Sequence, residues 1–412
     1  MRTPDRHVAT PADPATDIPT GLANFHFRCL DSYRAMGMLM VFLAHCYFAS
    51  FVQMRDTFIG PVLDRFDLGL PMFFILSAFL LYRPYVLAQL GDRPQPSYRR
   101  FVRHRIVRII PAYWVALIAL LAVGVLHAES IGEALSFFGL VQIYDSAKVF
   151  DSGFQPIYQS WSLATELSFY LLLPVWALAI RAATRRFPGS LRVRWSLTGI
   201  AGLYVFGVLF RAFIVWADAP RQAVLWLPAW LDMFALGMAL AVISGHVALG
   251  ATCPRPIEWL ARHASVSWLI AAGLFVVVTL YRPDARPLTL TGREYMTRQF
   301  LYGLISVFWV LPAMFGDQRR GHLRSVLATP LMGFLGAISL SFYLYHVALI
   351  EQVQRWTGAA PFENNFLELV GIALPIVLAI AIASYYFIER PALRFRSPRR
   401  PGVPTPSPPS TR

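Results

Sequence analysis

Long apolar stretches alternate along this chain with short segments rich in arginine, proline and other polar residues. Ten of the apolar stretches have about 17 to 24 residues, the length that an α-helix needs to cross a bilayer. The sequence therefore predicts an all-α, polytopic membrane protein with about ten transmembrane helices. The predicted spans are 30–51, 68–89, 110–127, 161–180, 195–216, 224–245, 266–281, 298–316, 330–353 and 367–388.

The remaining segments divide the chain into three parts. Residues 1–27 are polar and predict a cytoplasmic N-terminal tail without a cleavable signal peptide. Residues 28–396 form the membrane domain, and the Pro/Ser/Arg-rich segment 397–412 predicts a disordered cytoplasmic tail. The apolar stretch 131–144 is too short to span, so we expect it to be interfacial or re-entrant.

Composition supports the membrane assignment. Of 412 residues, 56% are hydrophobic and 15% charged, whereas soluble domains have roughly a quarter charged residues. The three cysteines, Cys29, Cys46 and Cys253, form no CxxC motif, which argues against a disulfide framework or a zinc site.

The positions of the basic residues behind the net charge of +14 indicate how the chain is oriented in the membrane. With the N-terminus placed inside, 27 of the 37 basic residues fall in cytoplasmic segments. Such a bias over short loops follows the positive-inside rule, so both termini are expected in the cytoplasm. The charge thus indicates contact with lipid headgroups, and no nucleic-acid partner is expected.

The first apolar stretch contains two groups that are costly in hydrocarbon, Arg34 and His45. They lie eleven residues apart, almost three helical turns, so they project from nearly the same face ~16 Å apart along the axis. Asp31 lies one turn before Arg34 on that face and is expected to pair with its guanidinium. An intramembrane histidine aligned with a paired arginine is a candidate functional site.

Arg105 and Arg108 lie one turn apart, immediately before the third apolar stretch. Juxtamembrane arginines commonly anchor a helix at the cytoplasmic face. The planar guanidinium also suits phosphate oxygens, so the pair is equally a candidate phosphate-binding site.

The fourth span carries Glu166, about 8 Å below the predicted outer surface, with Ser162 and Tyr170 on the same face. An intramembrane carboxylate needs a partner. A structural interpretation pairs Glu166 with Arg211. The functional interpretation, which we favour, is that Glu166 orients His45 at a comparable depth.

Two further polar groups lie in later spans. His346 is near the outer end of the ninth span, in register with Ser339, and is either a hydrogen-bonded structural group or a supporting residue of the site. Asp232 in the sixth span either lines a polar cavity or pairs with Arg211 or Arg221.

Six sequence blocks occur in the order found in one family. They are DSYRAMGMLMVFLAH at 31–45, LGLPMFFILSAFLL at 68–81, RHRIVRIIPAYW at 103–114, WSLATELSFYLLLP at 161–174, SLSFYLYH at 339–346 and FIERPALRF at 387–395. Together they resemble the membrane-bound acyltransferase type 3 family over about residues 28–396. The chain departs from the family pattern at Ala78, where glycine is usual, and at Tyr345, where tryptophan often precedes the histidine.

The resemblance implies transfer of an acyl group, often acetyl, from cytosolic acyl-CoA to a hydroxyl of a sugar, glycolipid or other glycan-like acceptor. It implies essential roles for Arg34, His45, Arg105 and Arg108, and a multi-pass location in the bacterial cytoplasmic (inner) membrane. No bound cofactor and no metal are expected, since acyl-CoA (acetyl-CoA) is a co-substrate.

These expectations form a mechanistic hypothesis. Arg105 and Arg108 bind the donor phosphates, and Arg34 positions the donor or polarises its carbonyl. His45 acts as general base on the acceptor hydroxyl, with Glu166 stabilising the imidazolium. Direct transfer and a covalent His45 intermediate are both compatible with the sequence. The alternative is a transporter or acyl-group translocator, in which intramembrane His, Glu and Arg form a pathway without chemistry.

Overall fold

The computed structural model describes residues 27–145, 155–217, 220–281, 292–315 and 322–396. These residues form helices and connecting turns, with no β-strand among them. The all-α prediction is confirmed. The two predicted tails fall outside the described residues, except for Phe27.

Twelve helices organise the described chain. They are α1 (Arg28–Ala49), α2 (Gly69–Leu90), α3 (Tyr98–Ala122), α4 (Trp161–Thr184), α5 (Gly189–Trp216), α6 (Leu231–Ala248), α7 (Arg255–Arg262), α8 (Ala264–Leu280), α9 (Gly292–Phe315), α10 (Pro330–Ala337), α11 (Ser339–Thr357) and α12 (Phe366–Ser384). Shorter helical segments include Phe51–Met54, Gly60–Asp64, Ile131–Phe138 and His322–Leu327.

By length and composition, the described residues contain seven helical runs able to cross a membrane, and up to nine if two bent pairs each form one span. The bent pairs are α7 with α8, at 96°, and α10 with α11, at 60°. These nine match nine of the ten predicted spans. The tenth prediction corresponds to α1, which forms a 22-residue helix but has Arg34 and His45 within its otherwise apolar stretch.

Helix α3 begins well before the predicted third span. Proline at position 111 lies inside the helix, and the arginine-rich segment forms its first turns. Arg105 and Arg108 therefore project from a helix rather than from a loop. The stretch 131–144 forms the eight-residue helix Ile131–Phe138 and a turn, too short to span, as expected.

The chain divides into two compact units. The first unit contains the described residues of 1–44, 55–95 and 173–336. Two of its helices approach closely at glycine positions. A Cβ atom on Gly69 would lie only 2.6 Å from the carbonyl oxygen of Gly37, so a larger residue would not fit there. Small residues allow such backbone contact between membrane helices.

The second unit contains the described residues of 45–54, 96–172 and 337–412. It includes α3, the beginning of α4, α11 and α12, together with the last turn of α1 from His45 onward. Helix α11 contacts α12, α3 and the segment before α4. Most of the predicted site residues belong to this unit.

Candidate active site

His45 and His346 form a hydrogen-bonded pair in the second unit. Nδ1 of His45 lies 2.8 Å from Nε2 of His346, and the two ring centroids are 5.0 Å apart. His346 is 1% exposed, whereas His45 is half-buried. The supporting position predicted for His346 is thus directly beside the predicted general base.

Backbone geometry assigns the protons of this pair. Nδ1 of His346 lies 2.7 Å from the carbonyl oxygen of Tyr343, and a carbonyl can only accept. Nδ1 of a neutral His346 must therefore carry the proton, which leaves its Nε2 as an acceptor for Nδ1–H of His45. Nε2 of His45 then has a free lone pair, and it has no hydrogen-bond partner among the described residues. This is the protonation state of a general base.

Residues before and within the first turn of α4 hold the carbonyl that orients His346. Nε2 of Gln159 donates to the Tyr343 carbonyl at 3.2 Å, and the Tyr343 hydroxyl donates to the Gln159 carbonyl at 2.8 Å. Ser162 Oγ lies 2.7 Å from the Tyr343 hydroxyl. Ser162 therefore supports the histidine pair through Tyr343.

A cavity of about 420 Å³ adjoins His45. Tyr158 meets the His45 ring edge-to-face, at 5.6 Å between centroids, and also lines this cavity. The remaining walls come from the end of α1, the second half of α11 and the loop that follows it. The free nitrogen of His45 thus belongs to a residue that a small molecule can reach.

Glu166 lies in a different environment from the one predicted. The hydrogen-bond partner of His45 is His346 instead of Glu166. Glu166 is in electrostatic contact with Tyr170 and Arg105. The physical reason is that a carboxylate in an apolar bundle is best compensated by a full cation, and the Arg105 guanidinium on α3 supplies one.

The Arg105 guanidinium is held between two aromatic rings. Its Cζ atom lies 5.8 Å from the ring centroid of Phe101 and 5.7 Å from that of Tyr170. Its Nε is buried and has no hydrogen-bond partner among the described residues. A buried, unsatisfied guanidinium N–H is costly to leave unpaired, and an anionic or carbonyl ligand would satisfy it.

Arg108 lies near the carboxylate of Glu389, one of the residues in the C-terminal block 387–395. Glu389 ends a π-helical segment, Tyr385–Glu389, and accepts hydrogen bonds from the Ser341 backbone N–H at 3.2 Å and from the Ser341 hydroxyl. The carboxylate therefore caps the N-terminus of α11, where the helix dipole favours negative charge.

The Arg108–Glu389 contact, the histidine pair and the cavity lie in that order along helix α11. Ser341, at the Glu389 and Arg108 end, precedes His346 by five residues, and Glu351 at the cavity follows it by five. Each interval is about 7.5 Å at 1.5 Å per residue. The histidine pair thus lies between an arginine-containing end and a cavity-containing end of one helix.

The other predicted residues lie in the first unit. Arg34 Nη1 and Asp31 Oδ1 are 3.1 Å apart, which confirms that pair. Arg211 and Asp232 form a buried two-bond ion pair, with N–O distances of 2.9 and 2.6 Å. The structural interpretation of Asp232 is therefore confirmed, and Arg211 is not the partner of Glu166.

Sequence reasoning missed Gln159, Tyr343, Tyr158 and Glu351. Gln159 and Tyr158 precede the fourth span in a segment without clear periodicity. Tyr343 lies three residues before His346, and Glu351 lies five residues after it. A functional role for His346 would therefore have marked both residues as candidates. The described residues contain no group of three or more His, Cys, Asp or Glu side chains placed to hold a metal ion.

Comparison with known proteins identifies the family of this chain. A family profile described as an acyltransferase domain matches residues 27–386. No solved structure matches the chain.

Three curated relatives are similar over most of this chain. "Acyltransferase MdmB" of Streptomyces mycarofaciens is 25% identical, covering 92% of this chain and 95% of its own length. "Putative membrane-bound transacylase BcsY" of Komagataeibacter xylinus is 24% identical, covering 90% and 84%. "Putative O-acetyltransferase SACOL0978" of Staphylococcus aureus is 23% identical, covering 79% and 52%. With the profile match over most of the chain, these similarities show that this multi-pass membrane protein belongs to the acyltransferase 3 family.

Proposed function

We propose that this protein is an O-acyltransferase that moves an acyl group, acetyl in the simplest case, from cytosolic acyl-CoA to a hydroxyl of a sugar, glycolipid or other glycan-like acceptor. We place it in the bacterial cytoplasmic membrane, with both termini inside. The observation that carries the proposal is the His45–His346 pair, whose fixed tautomers leave Nε2 free on His45, a residue that lines a cavity.

The chemistry follows from that free nitrogen. Nε2 of His45 takes the proton of the acceptor hydroxyl as its oxygen attacks the thioester carbonyl carbon. The tetrahedral intermediate collapses, the carbon–sulfur bond breaks, and the His45 imidazolium returns the proton to the departing CoA thiolate. Nδ1–H of His45 donates to Nε2 of His346 throughout, so the developing positive charge is shared over two rings. His346 fills the orienting role that an acid fills in a catalytic triad.

The arginine end of α11 is the proposed donor side. Arg105 and Arg108 are half-buried on the first turns of α3, and Arg105 has an unsatisfied Nε. Glu166 and Tyr170 hold the Arg105 side chain, and Glu389 lies near Arg108. Arginines that only anchor a helix to lipid headgroups would be solvated, whereas these two side chains are held in place by protein contacts. We therefore favour an anion-binding site over a membrane anchor.

We further propose that Arg34 contacts the donor. It lies three turns before His45 on helix α1, and its ion pair with Asp31 restricts the guanidinium. About 16 Å from His45 along the helix axis, a positioned guanidinium can bind a phosphate or carbonyl oxygen elsewhere on the extended acyl-CoA chain.

The reaction is tested by incubating the purified protein in lipid nanodiscs with radiolabelled acetyl-CoA and a panel of hexyl glycosides. An acetylated glycoside, identified by mass spectrometry, supports the proposal. In proteoliposomes, movement of the labelled acyl group across the membrane without acetylated product would contradict it and favour a translocator.

A further inference from the structure

We propose that the cavity beside His45 is the acceptor site, and that it takes one neutral sugar unit with an apolar substituent. This inference rests on the proposed function and adds the class of acceptor and the residues that recognise it. The cavity has one aromatic and aliphatic wall and one polar wall, and both lie within the second unit.

The apolar wall is formed by Phe48 and Phe362, whose rings meet edge-to-face at 5.0 Å between centroids, with Val347 and Ile350 beside them. The C–H groups on the flat face of a sugar ring, and an apolar substituent attached to it, can pack on such a surface. A highly hydrated polysaccharide chain would gain little from it.

The loop that carries Phe362 is held in a strained conformation. Phe362 has a φ angle of +68°, which L side chains other than Asn and Asp rarely adopt. Its carbonyl accepts from the Val52 backbone N–H at 2.9 Å, and the Asn364 N–H donates to the Ala49 carbonyl at 3.4 Å. Local strain retained by surrounding contacts is typical of ligand clamps, and here it fixes an aromatic ring over the cavity.

The polar wall has unused hydrogen-bonding capacity. The Tyr158 hydroxyl and the Gln354 side-chain amide have no hydrogen-bond partner among the described residues. Glu351 Oε2 is 4.0 Å from Nη2 of Arg355, too far for a hydrogen bond, so the carboxylate can still accept from a ligand hydroxyl. A phenol, an amide and a carboxylate together match the donors and acceptors of adjacent sugar hydroxyls.

Charge and size restrict the class further. Glu351 and Arg355 offset each other, so the cavity offers no excess positive charge for an acidic sugar. A carboxylate on the ligand would also lie near that of Glu351. A volume of about 420 Å³ is within the usual range for small-molecule pockets and suits a single sugar unit with part of its substituent.

The test is equilibrium binding of radiolabelled hexyl glycosides to the full-length protein in nanodiscs, without any acyl donor. The panel contains neutral hexosides, neutral deoxyhexosides and the matching hexyl glucuronide. We expect at least one neutral glycoside to bind ten or more times tighter than the glucuronide. Glu351→Gln and Gln354→Leu should each weaken its binding about tenfold. Glu368→Gln, at an exposed position on α12, is the matched control and should bind as wild type.

Each outcome decides the inference. Absence of neutral glycoside binding, equal binding of the glucuronide, or wild-type binding by both cavity variants would overturn it. Glu351→Gln keeps the size of the side chain, so its result does not depend on a disruptive change. If binding depends on the cavity but acetyl-CoA yields no product, the acceptor-class site stands and the proposed reaction fails.

Discussion

Nδ1 of His45 lies 2.8 Å from Nε2 of His346, and the opposite nitrogen of His346 lies 2.7 Å from the Tyr343 carbonyl. Two neutral imidazoles in this series can have only one arrangement of protons, in which both Nδ1 atoms carry hydrogen. Orientation by a second histidine differs from orientation by a carboxylate, because no net charge has to be buried in the resting state. Positive charge appears only when His45 takes the substrate proton.

The first prediction concerns His346 as a positioning residue. His346→Leu keeps an apolar side chain of similar volume but removes the acceptor for Nδ1–H of His45, so kcat should fall about a hundredfold with little change in the KM for acyl-CoA. His346→Gln retains an acceptor oxygen and should recover part of the loss. Steady-state kinetics of acetyl transfer measures both effects.

His127→Asn is the control for that experiment, since His127 is exposed in the loop after α3. It should leave kcat unchanged. Equal, small effects of the two His346 substitutions would show that this histidine only fills space.

The second prediction separates donor binding from membrane anchoring. Arg105→Gln and Arg108→Gln should each raise the KM for acetyl-CoA about tenfold or more, because hydrogen bonds to charged groups contribute about 1.5–3 kcal/mol. The KM for the acceptor should change much less. Arg99→Gln, at an exposed position on the same helix, serves as the control. Donor kinetics identical in all three variants would return Arg105 and Arg108 to an anchoring role.

The third prediction concerns the buried ion pair of the first unit. Asp232→Asn leaves the Arg211 guanidinium buried without its charged partner, so the free energy of unfolding should fall by about 3–5 kcal/mol. Replacing both residues with apolar ones of similar volume should largely restore stability. Asp92→Asn, which breaks the exposed pair with Arg192, should change it by less than about 1 kcal/mol. Thermal unfolding in nanodiscs compares the three, and a stable Asp232→Asn variant would contradict the structural role.

The fourth prediction tests the orientation through Cys253, in the connection between α6 and α7. Burial raises the pKa of this thiol to about 11, with a smaller contribution from Glu258. Because the thiolate is the reactive form, maleimide labelling should be slow at pH 7 and rise about tenfold per pH unit up to that pKa. A membrane-impermeant maleimide should reach it in inside-out vesicles only. Labelling in right-side-out vesicles would reverse the proposed topology, and Cys253→Ser controls for the buried Cys29 and Cys46.

Apolar length was enough to predict the helices. Each of the ten predicted spans corresponds to a helix or bent helix pair, because backbone groups in hydrocarbon must be satisfied within the helix itself. Helix ends were harder to place. Helix α3 begins at Tyr98 rather than near residue 110, since arginine is a good helix former and hydropathy alone does not register it.

Local spacing predicted the ion pair within helix α1, whereas it did not identify the partner of His45 on another helix. The Asp31–Arg34 pair follows from a one-turn spacing on α1. The pairing of His45 with His346 joins residues 301 positions apart, so only the packed structure distinguishes it from a pairing with Glu166 at similar depth. Glu166 instead interacts with Arg105 on α3, a contact that spacing along the chain does not indicate.

The most direct test of the account is the rate of acyl transfer by His45→Gln. The substitution keeps a polar side chain of similar size but removes the general base. With purified full-length protein in nanodiscs, acetyl-CoA and the neutral hexyl glycosides, His45→Gln should lower the rate of acetylated product formation at least a thousandfold, while His127→Gln matches wild type. Both variants should unfold at wild-type temperature. Product formation by a folded His45→Gln protein within tenfold of the wild-type rate would contradict the account.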